Sequence, residues 1–193
     1  HPGYGFLSEK ADFAKKCEDN GIIFIGPSAE IISKMGDKIE ARKIAASASV
    51  PTIPGSDGAV SEFKKALEIA ESIGFPLLIK ASAGGGGRGM RVVESRDTLE
   101  QDLNEIMSEA EVAFGDSSVY IEKYLTDIRH IEVQLLADVD SCIHLGERDC
   151  TAQRRNQKLV EEAPSPALSN SQRNDLCQSA VRLATKVKYK SAG

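Results

Sequence analysis

Hydrophobic positions in the first third of the chain predict helices joined by short apolar segments. Phe13, Ala14 and Cys17 recur at helical spacing, and the apolar run 21–26 predicts a short buried strand. A single further helix through 36–38 is predicted by the spacing of Ile31, Ile32, Met35, Ile39 and Ile44. The segment 50–58 then carries two prolines and two glycines, which indicates a turn-rich connector and a domain boundary.

The rest of the chain alternates predicted helices and strands. Helices are predicted over 63–73, 97–114 and 169–187. The last two begin with the patterns Asp97-x-x-Glu100 and Ser169-x-x-Gln172, which resemble capping boxes. Strands are predicted over 76–82, 90–94, 119–125, 129–137 and 141–145. This alternation predicts an α/β class, or α+β with mixed sheets.

Composition and charge narrow the functional class. Lys and Arg total 24 and Asp and Glu total 29, which gives a formal net charge of −5. This acidic balance argues against a general nucleic-acid coat, which needs a basic surplus to neutralise phosphates. No run approaches the roughly 18 apolar residues of a membrane helix, so we expect a soluble protein. The cysteines lack zinc or C-x-x-C spacing and predict reduced, mostly buried thiols of a cytoplasmic protein: Cys17, Cys142, Cys150 and Cys177.

A glycine-rich run at 84–89 contains the pattern G-x-G-x-x-G between two predicted strands. A Rossmann or Walker loop instead opens a helix, whose N-terminus supplies the anion site. A glycine loop between strands resembles the flap with which protein kinases cover phosphates. Because Arg88 and Arg91 stand at its exit, we favour a phosphate flap over the alternative of a flexible linker.

Single polar residues around this loop do not indicate a nucleotide site, but several of them taken together with a hinge for adenine do. Lys80 ends the strand that enters the loop and Lys38 lies on a predicted helix, but each alone is typical of a solvated surface. The sequence 122–125 is a candidate hinge whose backbone reads an adenine edge. One face of the next strand is polar, and either lines a cleft or faces solvent: His130, Glu132 and Gln134. A metal-ligand role for His130 is disfavoured because no second His or Cys accompanies it.

A charged segment at 147–162 places basic residues before acidic ones. A solvated loop is the default interpretation of such a run. The alternative is an anion cradle, because Gln, Arg and Lys together supply neutral donors, planar forks and a point charge. Spacing alone does not separate phosphate, carboxylate and bicarbonate as the bound anion.

Several motifs together closely resemble the biotin carboxylase component of biotin-dependent carboxylases, an ATP-grasp enzyme. They stand in family order over essentially the whole chain: His-Pro-Gly-Tyr-Gly-Phe from His1, Met-Gly-Asp-Lys from Met35, the glycine run 83–91, Glu-Lys-Tyr-Leu from Glu122, and the segment 147–163. The residues within these motifs are most similar to those of bacterial acetyl-CoA carboxylase subunits, which act in fatty acid biosynthesis. The resemblance implies that ATP, magnesium and bicarbonate form carboxyphosphate, which then carboxylates biotin on a carrier protein.

The resemblance also assigns roles to residues. Nucleotide-binding roles fall on Lys38, Lys80, Gly86, Gly87, Glu122, Lys123, Tyr124, Leu125, His130 and Asn156. Lys158 matches a lysine on the bicarbonate side, and Tyr4 faces the same carboxylation pocket. Two positions depart from the family: Asn156 stands where many members have a histidine, and Ala83 replaces what is often a glycine. Asn156 still forms hydrogen bonds but carries no charge, which puts that nucleotide contact in doubt.

The implied organisation is that of an internal fragment with four parts. Residues 1–25 would end a Rossmann-like N-terminal domain, 26–52 would connect, 53–124 would form the ATP-grasp lid, and 125–193 would begin the catalytic domain. Metal ligands, a catalytic arginine and a general-base glutamate are expected beyond Gly193, so the chain alone is expected to bind no metal and to be inactive. Implied partners are a biotin carboxyl carrier protein or domain, a carboxyltransferase component and a second copy in a homodimer, with no nucleic acid or membrane.

Two other functions remain open from the sequence. One is another bicarbonate-activating ATP-grasp ligase of the carbamoyl-phosphate type, and the other is a non-catalytic nucleotide-binding module. The loop around Tyr4 and the segment 153–158 favour biotin over the first. Nothing in the chain identifies the final carboxyl acceptor.

Overall fold

The computed structural model describes residues 1–3, 5–82, 89–154 and 157–192, and of these the side chains of Lys38, Ser191 and Ala192 are left undescribed. The chain divides into two compact units. The central unit is Ile53–Ile128, and the terminal unit combines His1–Thr52 with Arg129–Gly193. No helix in the described ranges is long and apolar enough to cross a membrane.

The described elements mix helices and strands, as the alternating pattern predicts. The helices are α1 (Ala11–Asp19), α2 (Ala29–Gly36), α3 (Lys38–Ser47), α4 (Phe63–Ile73), α5 (Arg96–Phe114) and α6 (Asn170–Lys186), and a 3-10 turn spans Phe6–Glu9. The strands are β1 (Leu77–Ala81), β2 (Met90–Val93), β3 (Val119–Lys123), β4 (Ile131–Ala137), β5 (Cys142–Asp149), β6 (Gln153–Arg154), β7 (Gln157–Lys158) and β8 (Ser191–Ala192).

The central unit is an antiparallel sheet, in the order β2-β1-β3, that packs with α4 and α5. Alternate residues of β1 are buried, as a half-buried strand requires. The core of this unit consists of large aliphatic side chains together with two helical alanines: Val60, Ala66, Ala70, Leu77, Ile79, Val93, Leu99, Leu103, Ile106, Val119 and Ile121. The charged Lys80 and Glu122 therefore stand on the opposite face of the sheet from Ile79 and Ile121.

The terminal unit has a second antiparallel sheet, in the order β5-β4-β8, with α6 packed against β5 and β4. A register shift interrupts the β4–β5 pairing between Val133 and Leu135. The hydrophobic residues that are buried in the described part of this unit are small: Ala14, Ala45, Ala137, Cys150, Cys177 and Ala184. Cys150 and Cys177 are buried, Cys17 and Cys142 are partly buried, and all four thiols are free.

The strand predicted at 21–26 is absent. Ile22, Ile23 and Ile25 lie in irregular backbone and are exposed. A strand requires a neighbour to pair its backbone N–H and C=O groups, and the described part of residues 1–52 contains only helices and a 3-10 turn. The apolar run alone was therefore insufficient to predict this element.

Two helix starts also differ from the sequence pattern. The single helix predicted through 36–38 is broken, because the Asp37 carboxylate accepts hydrogen bonds from the N–H groups of Ile39 and Glu40 and so begins a new helix. Helix α5 begins at Arg96, so Asp97 lies inside the first turn, where its charge complements the helix dipole, and is not the cap. The capping box of Ser169 and Gln172 is confirmed.

Candidate nucleotide and anion site

One candidate site lies on the face of the central sheet that points away from its core. Lys80 and Glu122 lie diagonally across β1 and β3, because Lys80 pairs with Tyr120 and Leu78 with Glu122. The Lys80 ammonium forms an ion pair with Glu122 Oε1. These side chains are only 23% and 13% exposed, so the pair is held at a fixed place beside the end of β1. The glycine-rich run follows directly after that strand end.

The candidate hinge begins where the pairing of β3 ends. Strand β3 ends at Lys123 and not at Leu125, the end predicted from sequence. The Lys123 N–H donates to Pro54 O at 2.8 Å, and the Tyr124 N–H donates to Pro76 O at 3.1 Å on the opposite edge. Within the described residues no group accepts from the Leu125 N–H. The backbone from Lys123 to Leu125 therefore offers hydrogen-bonding groups beyond the sheet.

The Lys123 side chain supports the hinge and does not extend into a pocket. Its ammonium donates to the carbonyl oxygens of Gly74 at 3.2 Å and Phe75 at 2.6 Å. This ammonium thereby fixes the turn that enters β1. The residue thus contributes to a candidate ligand site through its backbone.

A separate candidate site lies on the sheet of the terminal unit. Arg148 on β5 is paired directly with Glu132 on β4. Arg148 Nε and Nη2 donate to Glu132 Oε1 at 2.8 and 2.6 Å, and Nη1 donates to Gln134 Oε1 at 3.0 Å. The Lys158 ammonium on β7 forms an ion pair with the other oxygen, Glu132 Oε2. Arg148 Nε also lies 3.4 Å from Glu161 Oε2.

The Glu132 carboxylate is ionised in this arrangement. Burial acts to raise its pKa, but the hydrogen bonds from Lys158 and Arg148 outweigh burial and lower the pKa to about 2. The pKa of Arg148 is raised chiefly by its hydrogen bond to Glu132. At neutral pH the carboxylate thus fixes two cationic side chains that are largely shielded from solvent. Lys158 is 26% exposed and Arg148 is 32% exposed.

His130 lies just before β4, and its surroundings are polar. Its N–H donates to Thr151 Oγ1 at 3.0 Å, and its carbonyl accepts from the Cys150 N–H at 2.7 Å. Its Nδ1 lies 2.5 Å from Gln153 Nε2, which also donates to Cys150 O at 2.8 Å. The exposed ring of His130 is therefore oriented by Gln153 and is available at the surface.

Some candidate residues belong to the stretches that the structure does not describe. Tyr4, Gly86, Gly87 and Asn156 lie outside the described residues, as does Ala83. Lys38 is the first residue of α3, but its side chain is outside the description as well. The structure therefore brings together Lys80 with Glu122 in one unit, and Lys158 with the neighbourhood of Glu132 in the other.

Sequence analysis gave no individual role to Glu132, Arg148 or Gln153, although each lies in a segment that it considered as part of a cleft or an anion cradle. The signal for Glu132 was its alternation with His130 and Gln134 on a polar strand face. The partnership with Arg148 depends on the register between β4 and β5, which residue spacing within one strand does not contain.

One group of possible metal ligands exists among the described residues. Oxygen atoms of Glu132 and Glu161 and the sulfur of Cys150 lie within 4.8 Å of one another. Burial raises the pKa of the Cys150 thiol, which disfavours the thiolate that a metal requires. Both Glu132 oxygens already accept hydrogen bonds from cations, so a divalent ion would have to displace them. This group fits a metal poorly.

Comparison with known protein families gives two matches. Residues 37–193 match the family described as "Carbamoyl-phosphate synthase L chain, ATP binding domain", and residues 1–32 match "Biotin carboxylase, N-terminal domain". The chain is 54% identical to the biotin carboxylase of Nostoc sp., over all of this chain and 43% of that protein. It is 52% identical to the mitochondrial pyruvate carboxylase of Mus musculus, over all of this chain and 16% of that protein.

Solved structures give the same result. A biotin carboxylase from Campylobacter jejuni, in a complex described as "beta-gamma-ATP", has a TM-score of 0.87 at 48% identity over 98% of this chain and 43% of its own. The biotin carboxylase domain dimer of Hydrogenobacter thermophilus 2-oxoglutarate carboxylase, with MgADP, ADP and bicarbonate, has a TM-score of 0.87 at 48% identity over 100% and 43%. The chain thus spans less than half the length of these relatives, and it belongs to the biotin carboxylase family, with an α/β fold of the ATP-grasp type.

Proposed function

We propose that the protein containing this chain uses ATP and bicarbonate to carboxylate biotin, the first half-reaction of acetyl-CoA carboxylase or a related carboxylase. The observation that carries the proposal is the fixed Lys158–Glu132–Arg148 arrangement on the polar face of an ATP-grasp domain. Relatives that carry the name biotin carboxylase or pyruvate carboxylase, at 50–54% identity over the whole chain, support it. Activation of bicarbonate by ATP is a phosphoryl transfer, in which positioning and charge neutralisation supply most of the catalysis.

The hinge supplies adenine recognition in this proposal. The Lys123 C=O accepts a hydrogen bond from the exocyclic amino group, and the Leu125 N–H donates to the neighbouring ring nitrogen. The support is the end of strand pairing at this point, which leaves an acceptor and a donor two residues apart on the same edge of the chain. Glu122 and Tyr124 contribute to the hinge by fixing its backbone.

Lys80 binds nucleotide phosphate in this proposal. Its position at the end of β1, directly before the glycine-rich run, supports the role. The ion pair with Glu122 orients the ammonium. Lys38, Gly86 and Gly87 are proposed for the same phosphates, and His130 and Asn156 for further nucleotide contacts, on the resemblance of the motifs that contain them.

Lys158 binds bicarbonate in this proposal. Glu132 fixes the Lys158 ammonium through an oxygen that Arg148 does not use, so the ammonium is held at a defined place on the sheet. Tyr4 is proposed for the same carboxylation pocket. The Hydrogenobacter relative whose description includes a bicarbonate anion supports an anion of this kind.

Magnesium would neutralise the phosphate charge of the bound nucleotide. The group formed by Glu132, Cys150 and Glu161 does not fit it, because Lys158 and Arg148 already occupy the Glu132 oxygens. We therefore assign no metal ligand to the residues that the structure describes, and propose that the magnesium ligands lie in the remaining part of the protein.

Partners follow from the proposed reaction. The carboxylated biotin must be attached to a carrier protein or domain, and a carboxyltransferase component must pass the carboxyl group to the final acceptor. The dimer in the description of the Hydrogenobacter relative supports a homodimer. We propose a cytoplasmic location for the protein, in agreement with its free thiols.

The experiment is bicarbonate-dependent ATP hydrolysis with free biotin, measured on the protein completed at both ends. Lys158→Ala is compared with Lys64→Ala, which removes an exposed lysine of α4. We expect biotin to stimulate turnover of the wild type and of Lys64→Ala, and this turnover to collapse in Lys158→Ala. Bicarbonate-dependent turnover that ignores biotin would instead support a ligase of the carbamoyl-phosphate type. ATP binding without any turnover would support a non-catalytic module.

A further inference from the structure

A short segment runs antiparallel to β3, along the edge of β3 that does not pair with β1. Each of its residues has a separate structural role. We call Pro54-Gly55-Ser56 the strap. Gly55 pairs with Glu122, and a Cβ at Gly55 would lie 2.6 Å from the carbonyl oxygen of Ile121, so only glycine fits. The Ser56 N–H donates to Ile121 O at 2.7 Å, and its buried Oγ accepts from the Ile121 N–H at 3.2 Å. The strap is therefore fixed closely against β3.

Pro54 stands at a position of this ladder where two hydrogen bonds are expected. In an antiparallel pair, hydrogen-bonded positions alternate with non-hydrogen-bonded positions, and Gly55–Glu122 is of the second kind. The pair of Pro54 with Lys123 is of the first kind, since the Lys123 N–H donates to Pro54 O at 2.8 Å. The return bond would run from an N–H at 54 to the Lys123 C=O. Proline has no N–H, so this bond does not form.

The consequence is an unpaired acceptor at the hinge. Because the N–H and C=O of one strand residue point to the same edge, the Lys123 C=O faces Pro54 and not β1. Nothing in the described part of the chain donates to it. A backbone acceptor without a partner inside the protein remains available for a ligand.

We propose that Pro54 is a positioning residue for adenine: by withholding an N–H it keeps the Lys123 C=O free to accept from the exocyclic amino group of the nucleotide. The inference rests on the proposed function and adds a residue that does not itself touch the nucleotide. Any other amino acid at 54 would close the ladder with its own N–H. That N–H would occupy the side of the Lys123 C=O that faces the strap and compete there with the amino group, which reduces the apparent affinity for the nucleotide.

The prediction is specific to the amino group. ATP carries an amino group at C6, which donates to the Lys123 C=O. ITP carries an oxo group there and cannot donate, so it gains nothing from the free carbonyl. A return hydrogen bond of ordinary net strength in a Pro54 variant should weaken ATP binding by about three- to tenfold and leave ITP binding unchanged.

The experiment measures KM and kcat for ATP and for ITP, and the Kd of ADP, on the complete protein. The variants are Pro54→Ala and Pro54→Val. Valine suits an extended strand, so one variant remains informative if the other does not fold. Pro51→Ala is the matched control, because it removes an exposed proline of the same connector. Ser56→Ala weakens the strap without supplying an N–H at 54.

We expect both Pro54 variants to raise the KM for ATP about three- to tenfold at near wild-type kcat, and so to reduce the preference for ATP over ITP by the same factor. Ser56→Ala should lower Tm but keep the preference. An unchanged preference in a folded Pro54 variant would overturn the proposal, and so would an equal loss for ATP and ITP. The proposed function fails separately, if the wild type neither prefers ATP to ITP nor responds to biotin.

Discussion

Arg148 and Glu132 lie directly opposite each other on neighbouring strands, and Arg148 uses two of its nitrogens on a single oxygen, Oε1, of Glu132. The second oxygen is thereby left for Lys158, which occupies it from β7. One carboxylate therefore sets the position of two cations that come from different strands.

Neutralising Glu132 should impair turnover more than folding. In Glu132→Gln the amide keeps the shape of the side chain but no longer attracts both cations, so Lys158 loses its fixed position. A misplaced binding group costs roughly 10- to 100-fold in rate, and we expect a loss of kcat in that range in the bicarbonate-dependent assay. Glu161→Gln is the control, because Glu161 is 44% exposed and lies 3.4 Å from Arg148 Nε. Equal losses in the two variants would contradict the special role of Glu132.

The same carboxylate should make stability depend on acid pH. The pKa of Glu132 is lowered from 4.5 to about 2 in the folded protein, so the unfolded chain binds a proton first. The stabilisation is complete above the unfolded pKa and is lost as the pH falls through that value towards 2. Urea unfolding of wild type and Glu132→Gln between pH 2 and pH 6 should show a smaller loss of unfolding free energy in the variant. Parallel curves would exclude this linkage.

Removing Arg173 should destabilise the terminal unit. Arg173 Nε donates to Glu147 Oε1 at 2.7 Å, and the side chain of Glu147 is 1% exposed. Arg173→Ala leaves a buried carboxylate without its cation, which costs about 3 kcal/mol in the free energy of unfolding. Arg182→Ala removes an arginine from the exposed side of the same helix and should cost less than about 0.5 kcal/mol. Urea unfolding of both variants measures the difference, and similar values for the two would refute the prediction.

Two glycines of the same connector should respond differently to a methyl group. In Gly55→Ala the new Cβ meets the Ile121 carbonyl at 2.6 Å, so the strap must move away from β3, at a cost of about 1–3 kcal/mol. Nothing lies within 4 Å of a Cβ at Gly58, so Gly58→Ala should leave stability unchanged or raise it by about 0.5 kcal/mol through the unfolded state. Thermal unfolding checks both values. A neutral Gly55→Ala would show that the strap is not closely packed.

The sequence predicted elements whose determinants are local. The capping box at Ser169 and Gln172 lies within four residues, and it forms as expected. The apolar run at 21–26 failed because strand formation depends on a partner elsewhere in the chain. The helix start at Asp37 was missed because the apolar residues on both sides of it keep one helical spacing. Aspartate is nevertheless among the best helix caps.

The candidate site residues also fall into those that could be predicted from local sequence and those that could not. Lys80, Glu122 and Lys158 were recognisable because each stands in a motif, whereas the pairing of Lys80 with Glu122 and of Lys158 with Glu132 depends on how the strands are placed. The register of β4 and β5 is further changed by the shift between Val133 and Leu135, which no pattern of alternation contains. Pro54 was read as a turn residue, and its effect on Lys123 appears only once the strap is paired with β3.

The unequal distribution of large buried side chains between the two units has a consequence for how the protein unfolds. Leucine, isoleucine and valine fill the core of Ile53–Ile128, whereas the buried apolar residues described in the terminal unit are alanines and cysteines. Heat should therefore produce two separate calorimetric transitions, with the central unit melting as its own cooperative block at the higher temperature. Amide protons of β1 and β3 would then be the slowest in the protein to exchange with solvent.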